Sequence, residues 1–272
     1  MRKLIAVFLL IGNCFGQGCM EVSADSTSSP QAGETQVQNA QTADRVDEIL
    51  AKLGDRADEI KTYQSGIEHL SRQPLFDSQT LRTGRMYYLR DNKKSLLRID
   101  FDTIKQDEQP AEEYKEQFFF DGAWLTRVDY QLKEVKKYEM VDVNELKVNE
   151  TVDAFDLLSE YLPIVGFTGE DKLKKEFNIT LAEPNVNEPN KLGLHMEVKD
   201  DSVYKDDWEW IDFEIGKDSY LPVKVVILST QEDVFEISFI DARINEPIDE
   251  NLFKPVIPQG FVEAEVVPLK RQ

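Results

Sequence analysis

The apolar positions of this chain change period along its length. Leu4 to Ile11 form an unbroken apolar run behind Arg2 and Lys3, the make-up of an export signal and too short to span a bilayer. Over residues 23–43 large apolar side chains nearly vanish among Ser, Gln, Ala and Thr, as in a surface tether. Val46, Ile49, Leu50 and Leu53 then recur at helical spacing, with Glu48, Lys52 and Asp55 facing away. This predicts an amphipathic helix introduced by Thr42, Ala43 and Asp44, broken or kinked at Gly54, with Ile60 extending its apolar face.

From Thr62 the period becomes two. Strands are expected over residues 63–72, 83–90, 95–101, 116–120, 124–130 and 135–140. Turn chemistry separates them at Asp91-Asn92, Asp121-Gly122 and an acidic, proline-containing loop over 106–113. A helix is expected over 151–162, capped by Thr151 and ended by Pro163. Strands resume over 177–181, 192–198, 208–215, 223–228 and 234–240, followed by a helical turn at 249–253 and a last strand within 261–267. No βαβ alternation and no glycine-rich phosphate loop occur, which argues against a nucleotide-binding doubly wound domain. The fold class is therefore α+β, mainly β: a single antiparallel sheet of around ten strands with two helices.

Such a sheet must hide a great deal of apolar surface. Met86, Tyr88 and Arg90 share one strand face, and Leu97, Ile99 and Phe101 share another. Phe118-Phe119-Phe120 is apolar on both sides, as is the stretch from Trp208 to Phe213. With so few helices, the sheet must bend around them or around a ligand. Periodicity leaves open whether the result is a filled core or a hollow half-barrel.

Composition narrows the function. Fifty-two acidic against 32 basic residues give a net charge of −20, no electrostatic footprint for nucleic acid. Cys14 and Cys19 are the only cysteines; the folded part can then hold no disulfide and no cysteine metal site. Val22-Ser23-Ala24 and Gly16-Gln17-Gly18 both fit a small-x-small cleavage rule, and Cys19 after Gly18 is a candidate acylation site, with Gly16 standing where a lipobox would carry leucine. The expected organisation is a signal over 1–24, a tether over 25–41 and one β domain over 42–272. His69 and His195 each lie inside an expected strand and read as structural. Asp200, Asp201, Asp206 and Asp207 lack an EF-hand's spacing and glycine and read as a solvated turn. No nucleophile elbow occurs. No cofactor or metal is expected, and a binding protein is expected instead of an enzyme.

Taken in order, several motifs resemble the outer-membrane lipoprotein carrier (LolA-like) family. An N-terminal helix runs into a first strand at Tyr63. Gly84 to Asp91 matches the Gly and Arg spacing of a Gly-x-Leu-Trp-x-x-Arg-Pro strand; Asp121-Gly122-Ala123-Trp124 follows. Asp249 to Phe253 with Pro258-Gln259-Gly260 fits an Asp-x-x-x-Phe-x-x-x-x-Pro-x-Gly ending. The resemblance implies a highly curved, incomplete barrel with helices over its opening and an apolar cavity for acyl chains. The cavity lining would be Met86, Tyr88, Leu97, Ile99, Phe101, Phe118, Phe120 and Phe213, and Arg90 would latch the helical lid. Asp91 stands in place of the family's proline, the 106–113 loop reads as an insertion, and an anchor at Cys19 conflicts with a diffusing shuttle. The expectation is a monomeric periplasmic protein, free or lipid-anchored, that holds lipoprotein acyl chains or lipids and meets envelope transport or acceptor proteins. The alternative is a protein-interaction or stress-sensing module of the same fold.

Overall fold

The computed structural model describes residues 34–91, 95–140, 170–182, 188–262 and 265–268, with side chains from residue 43 onward. The leader with Cys14 and Cys19, and the helix expected over 151–162, lie outside the described residues.

One sheet organises the chain. The strands are β1 (Thr62–Gln73), β2 (Ser78–Arg90), β3 (Ser95–Gln106), β4 (Glu112–Phe120), β5 (Trp124–Asp129), β6 (Glu134–Glu139), β7 (Phe177–Leu181), β8 (Lys191–Val198), β9 (Trp208–Gly216), β10 (Pro222–Ser229), β11 (Val234–Ile244) and β12 (Glu265–Val267). They form a 12-stranded open sheet in the order β12-β6-β5-β4-β3-β2-β1-β11-β10-β9-β8-β7. Two antiparallel meanders, β1 to β6 and β7 to β11, are thus zipped together where β1 pairs with β11.

Curvature follows from burial. Laid flat, twelve strands would be about 55 Å wide. Yet Tyr138 and Met140 near one edge and Phe177 and Leu194 near the other belong to a single buried cluster. The sheet must curl to bring them together. Into its concave side packs α1 (Glu34–Glu59), through Val46, Ile49, Leu50 and Leu53, beside the short α2 (Glu170–Glu176), which contributes Leu173.

Several expectations need correction. The sheet is not wholly antiparallel: the last strand shrinks to three residues and runs parallel to β6. Helix α1 begins at Glu34, inside the stretch expected to be a tether, and passes through Gly54 without ending there. A Cβ at Gly54 would meet nothing within 4 Å, so no close packing requires glycine at that point. The loop expected over 106–113 is shorter, residues 107–111, because β3 runs to Gln106 and β4 starts at Glu112.

After β11 the chain crosses the convex face. Asp249 caps a one-turn 3-10 helix by accepting from the Asn251 amide at 2.9 Å, Phe253 is buried, and Arg98 Nη1 donates to the Leu252 carbonyl at 2.7 Å. Gly260 has φ +88, a left-handed turn that suits glycine. Phe261 then packs edge-on to Tyr130, with ring centroids 5.3 Å apart. The Asp249 to Gly260 motif is therefore a strap: it seals the small outer cluster of Phe119, Val128 and Val135.

Candidate functional site

Alternation along the strands places a continuous set of side chains on the concave face. Tyr88 lies opposite Leu97, Met86 opposite Ile99, Leu97 opposite Phe120 and Ile99 opposite Phe118. All eight residues expected to line a cavity (Met86, Tyr88, Leu97, Ile99, Phe101, Phe118, Phe120 and Phe213) fall in one cluster with α1, each 0–5 % exposed. In this state they pack against neighbouring side chains; the helix closes over them. Phe101 meets Phe118 edge to face at 6.3 Å, a favourable aromatic geometry.

Arg90 stands at one end of this face. Its Nη2 donates to the carbonyls of Ala57 and Asp58, both at 2.8 Å, and its backbone N–H donates to the Lys61 carbonyl at 2.7 Å. The last carbonyls of a helix lack intrahelical partners and carry the negative end of its dipole, so a guanidinium there satisfies both. Asn245 adds a second clamp that the sequence did not suggest. Its Oδ1 accepts from the Lys61 amide at 2.8 Å, and its Nδ2 donates to the Glu59 carbonyl at 3.1 Å. The available signal was an asparagine just past a strand, a residue type that tolerates the left-handed φ of 57 it adopts.

At the other end the concave face turns polar. Glu116 lies opposite Asp129 and next along the strand face from Phe118. Arg127 Nε donates to Glu116 Oε1 at 2.5 Å and its Nη2 to Asp129 Oδ2 at 3.0 Å. Arg82 Nη1 approaches Glu116 Oε2 at 4.0 Å and its guanidinium lies over the Tyr114 ring. Burial raises the Glu116 pKa against the pull of Arg127 and Arg82, and burial lowers that of Arg82. These partners come from three strands, so only the register reveals them.

The two histidines differ. His69 is buried between Phe101 and Phe235, stacked on the latter at 6.4 Å, and burial followed by the nearby Arg82 charge lowers its pKa to about 4. The unfolded chain therefore takes up a proton near pH 6.5 that the folded chain refuses until about pH 4. Stability should be level above about pH 6.5 and fall progressively as pH drops toward about 4, by about 3 kcal/mol from this group. In a denaturant titration repeated across that range, His69→Phe should flatten the slope; an unchanged slope would assign the acid sensitivity elsewhere. His195 sits on the outer face, where its Nδ1 lies 2.6 Å from Asp212 Oδ1 of the register partner. Short-range spacing gives no sign of that pairing, because the two residues meet only across strands. The four aspartates over 200–207 occupy the turns between β8 and β9, and no cluster able to hold a metal ion forms among the described residues.

No family model matches this chain, and no curated protein matches it by sequence. Solved structures do. An uncharacterized conserved protein from Thermus thermophilus aligns over 83 % of this chain and 99 % of its own, at 13 % identity and TM-score 0.47. A LolA superfamily protein from Nitrosomonas europaea aligns over 76 % and 97 %, at 11 % identity and TM-score 0.32. MucB, in the Pseudomonas aeruginosa MucA/MucB complex, aligns over 77 % of this chain and 60 % of its own, at 11 % identity and TM-score 0.43, so this chain spans less than two thirds of that one. The chain's own architecture is one open, strongly curved sheet with helices over its concave side.

Proposed function

We propose that this protein is an exported envelope protein that holds acyl chains of lipids or lipoproteins against the concave face of its sheet, with α1 as the lid. The observation that carries this reading is the extent of the apolar face compared with its cover. Among the described residues, side chains from β1 to β11 form one buried surface; α2 contributes Leu173 to closing it, and α1 contributes Val46, Ile49, Leu50 and Leu53. Uncovering those four side chains costs roughly 6–12 kcal/mol at about 1.5–3 kcal/mol each. A chain of about sixteen carbons gains about 13 kcal/mol on leaving water, at about 0.8 kcal/mol per CH₂. The two terms are of one size, so exchanging the helix for a lipid is close to neutral, as loading and release both require. No catalytic group takes part.

In this reading Arg90 and Asn245 set the balance by holding the C-terminal end of α1 to the sheet. Arg90→Leu keeps a similar stem and removes both side-chain bonds to the helix. It should keep the fold, with a Tm lowered by a few degrees, and, because the lost bonds hold the helix that a lipid displaces, bind lipid more tightly and release it at least about tenfold more slowly, at about 1 kcal/mol per lost bond. Stopped-flow dilution of a lipid-loaded sample checks this, and release at the wild-type rate would leave Arg90 a helix cap without a latching role. A lipid anchor at Cys19 is proposed alongside: Cys19→Ser should then move the protein from the membrane fraction to the soluble one in its own host.

A further inference from the structure

The hairpin turns of the sheet fall at two ends. Arg90 and Asn245 mark one of them. The opposite end carries the β1–β2, β3–β4, β5–β6, β8–β9 and β10–β11 turns, by the antiparallel pairing of those strands. Among the described residues, hairpin turns expose large apolar side chains at this second end alone; the others that are exposed lie on the strap or on β11 and β12. Leu75 and Phe76 stand on the β1–β2 turn and Leu132 on the β5–β6 turn. Val262 joins Leu132, its amide donating to the Lys133 carbonyl at 3.0 Å. These four are 56–70 % exposed and belong to neither buried cluster. Strands β3 and β4 separate the two turns in the sheet. Yet Gln73 and Ser78 beside one and Gln131 and Leu132 of the other line a single cavity of about 480 Å³. The curl of the sheet thus brings the apolar tips to opposite sides of one mouth. Val203, in the β8–β9 turn, lies outside that mouth among Asp200, Asp201, Asp206 and Asp207.

The N-terminal half of α1 leads toward the same end. Ala57 and Asp58 are bonded to Arg90. Asp47, in contrast, meets Lys174 at 2.6 Å, and the Lys174 carbonyl accepts from Lys199 in the β8–β9 turn. Thirty-three residues, with the apolar run and Cys19, precede Glu34, so they join the domain on the side of the exposed tips. A membrane that received them would lie against this end. Charge selects the kind of surface. Acidic side chains outnumber basic ones on these turns, among them Asp77, Asp107, Glu108 and Glu232. An anionic bilayer is therefore repelled, and so is a second copy presenting the same end. The apolar tips are separate points with the acidic β3–β4 turn between them. A protein interface needs a continuous patch of about 800 Å² a side, whereas binding at a bilayer surface scales with the apolar area buried in it.

We propose that this end rests on a zwitterionic lipid surface, with Leu75, Phe76, Leu132 and Val262 inserted among the headgroups and the Arg90 end in water. The mouth of the polar cavity then opens on the membrane. The four side chains lie outside the buried cluster, so this surface stands whether or not the concave face accepts an acyl chain.

The test uses exported protein carrying Cys14→Ser and Cys19→Ser, purified from the soluble fraction so that no acyl anchor takes part. Sedimentation is run with phosphatidylcholine vesicles, with and without added phosphatidylglycerol. Leu132→Cys and Asp218→Cys each carry an environment-sensitive fluorophore; Asp218 is exposed on the β9–β10 turn at the Arg90 end. Saturable binding to the neutral vesicles is expected, weaker with phosphatidylglycerol at low salt, with a blue shift from the label at 132 and none from that at 218. Leu75→Ser combined with Phe76→Ser, and separately Leu132→Ser, should keep the wild-type Tm and weaken binding about tenfold or more. The proposal is overturned by no binding to neutral vesicles, by tighter binding to anionic ones, by a blue shift at 218 in place of 132, or by serine variants that sediment like the parent protein. A dimer that the serine variants dissolve, seen without vesicle binding, would give the surface to a second copy and overturn it equally.

Discussion

Gly84→Ala is expected to destabilise the protein by about 2–4 kcal/mol, a fall in Tm of about 10 °C for a domain of this size. A Cβ at Gly84 would lie 1.8 Å from the Asp100 carbonyl oxygen and 2.9 Å from the Phe101 Cα. Those are backbone atoms of the paired strand, at the point where the β2–β3 register slips, so nothing can rotate away. The strands would have to part in the middle of the concave face, beside Phe101. Gly54→Ala is the matched control. With open space around its Cβ and a helical backbone, it should raise stability by up to about 1 kcal/mol. Thermal unfolding followed by circular dichroism reads both. An alanine tolerated at position 84 would mean that β2 and β3 do not approach as described.

The second large effect is expected from Arg127→Met. Glu116 is fully buried, and Arg127 is its close partner; Arg82 is 4.0 Å away. Removing one member of a buried pair leaves an uncompensated charge and costs about 3–5 kcal/mol. The cost should depend on pH. Burial raises the Glu116 pKa above its ordinary value, so the folded state holds a proton more readily than the unfolded state. The stability tied to this group is present at pH below the ordinary glutamate value and lost as pH rises through the raised one. Arg127→Met should accordingly be more damaging at about pH 8 than at about pH 5. Adding Glu116→Gln should return much of the loss at the higher pH. Equal losses at both pH values would show that the charge of Glu116 is not what Arg127 compensates.

Each stretch read as a strand from period-two hydrophobicity contains a strand. What the pattern missed has a common cause. The ends of β2, β3 and β4 around residues 78–82, 102–106 and 112–115 were not read as strand, because their concave positions carry Ser78, Thr80, Arg82, Gln106 and Tyr114. Where both faces of a strand are polar, alternation carries no signal. The N-terminal turns of α1 escaped for the same reason, since residues 34–42 hold one large apolar side chain, Val37. The ion pairs among Arg82, Glu116 and Arg127 join residues far apart in sequence, and register is not written locally. The contacts of Arg90 were approached only through a family resemblance, which pointed to a latch on the helical lid. Nothing in the spacing of Gly84 to Asp91 alone would have named Ala57 and Asp58. The parallel β12 is three residues long, too short for any pattern to give its direction.

The central claim is that the apolar concave face accepts a lipid chain in place of its helix. The measurement that tests it most directly is a titration of the purified, delipidated full chain with an environment-sensitive apolar fluorophore, followed by competition with long-chain lipids. The account predicts saturable binding at one or a few probes per chain. Displacement should strengthen with acyl chain length, because each added CH₂ contributes about 0.8 kcal/mol of transfer free energy. Folded protein that binds no probe, or binds it without saturation and without competition by lipid, would contradict the account and leave the buried cluster an ordinary core.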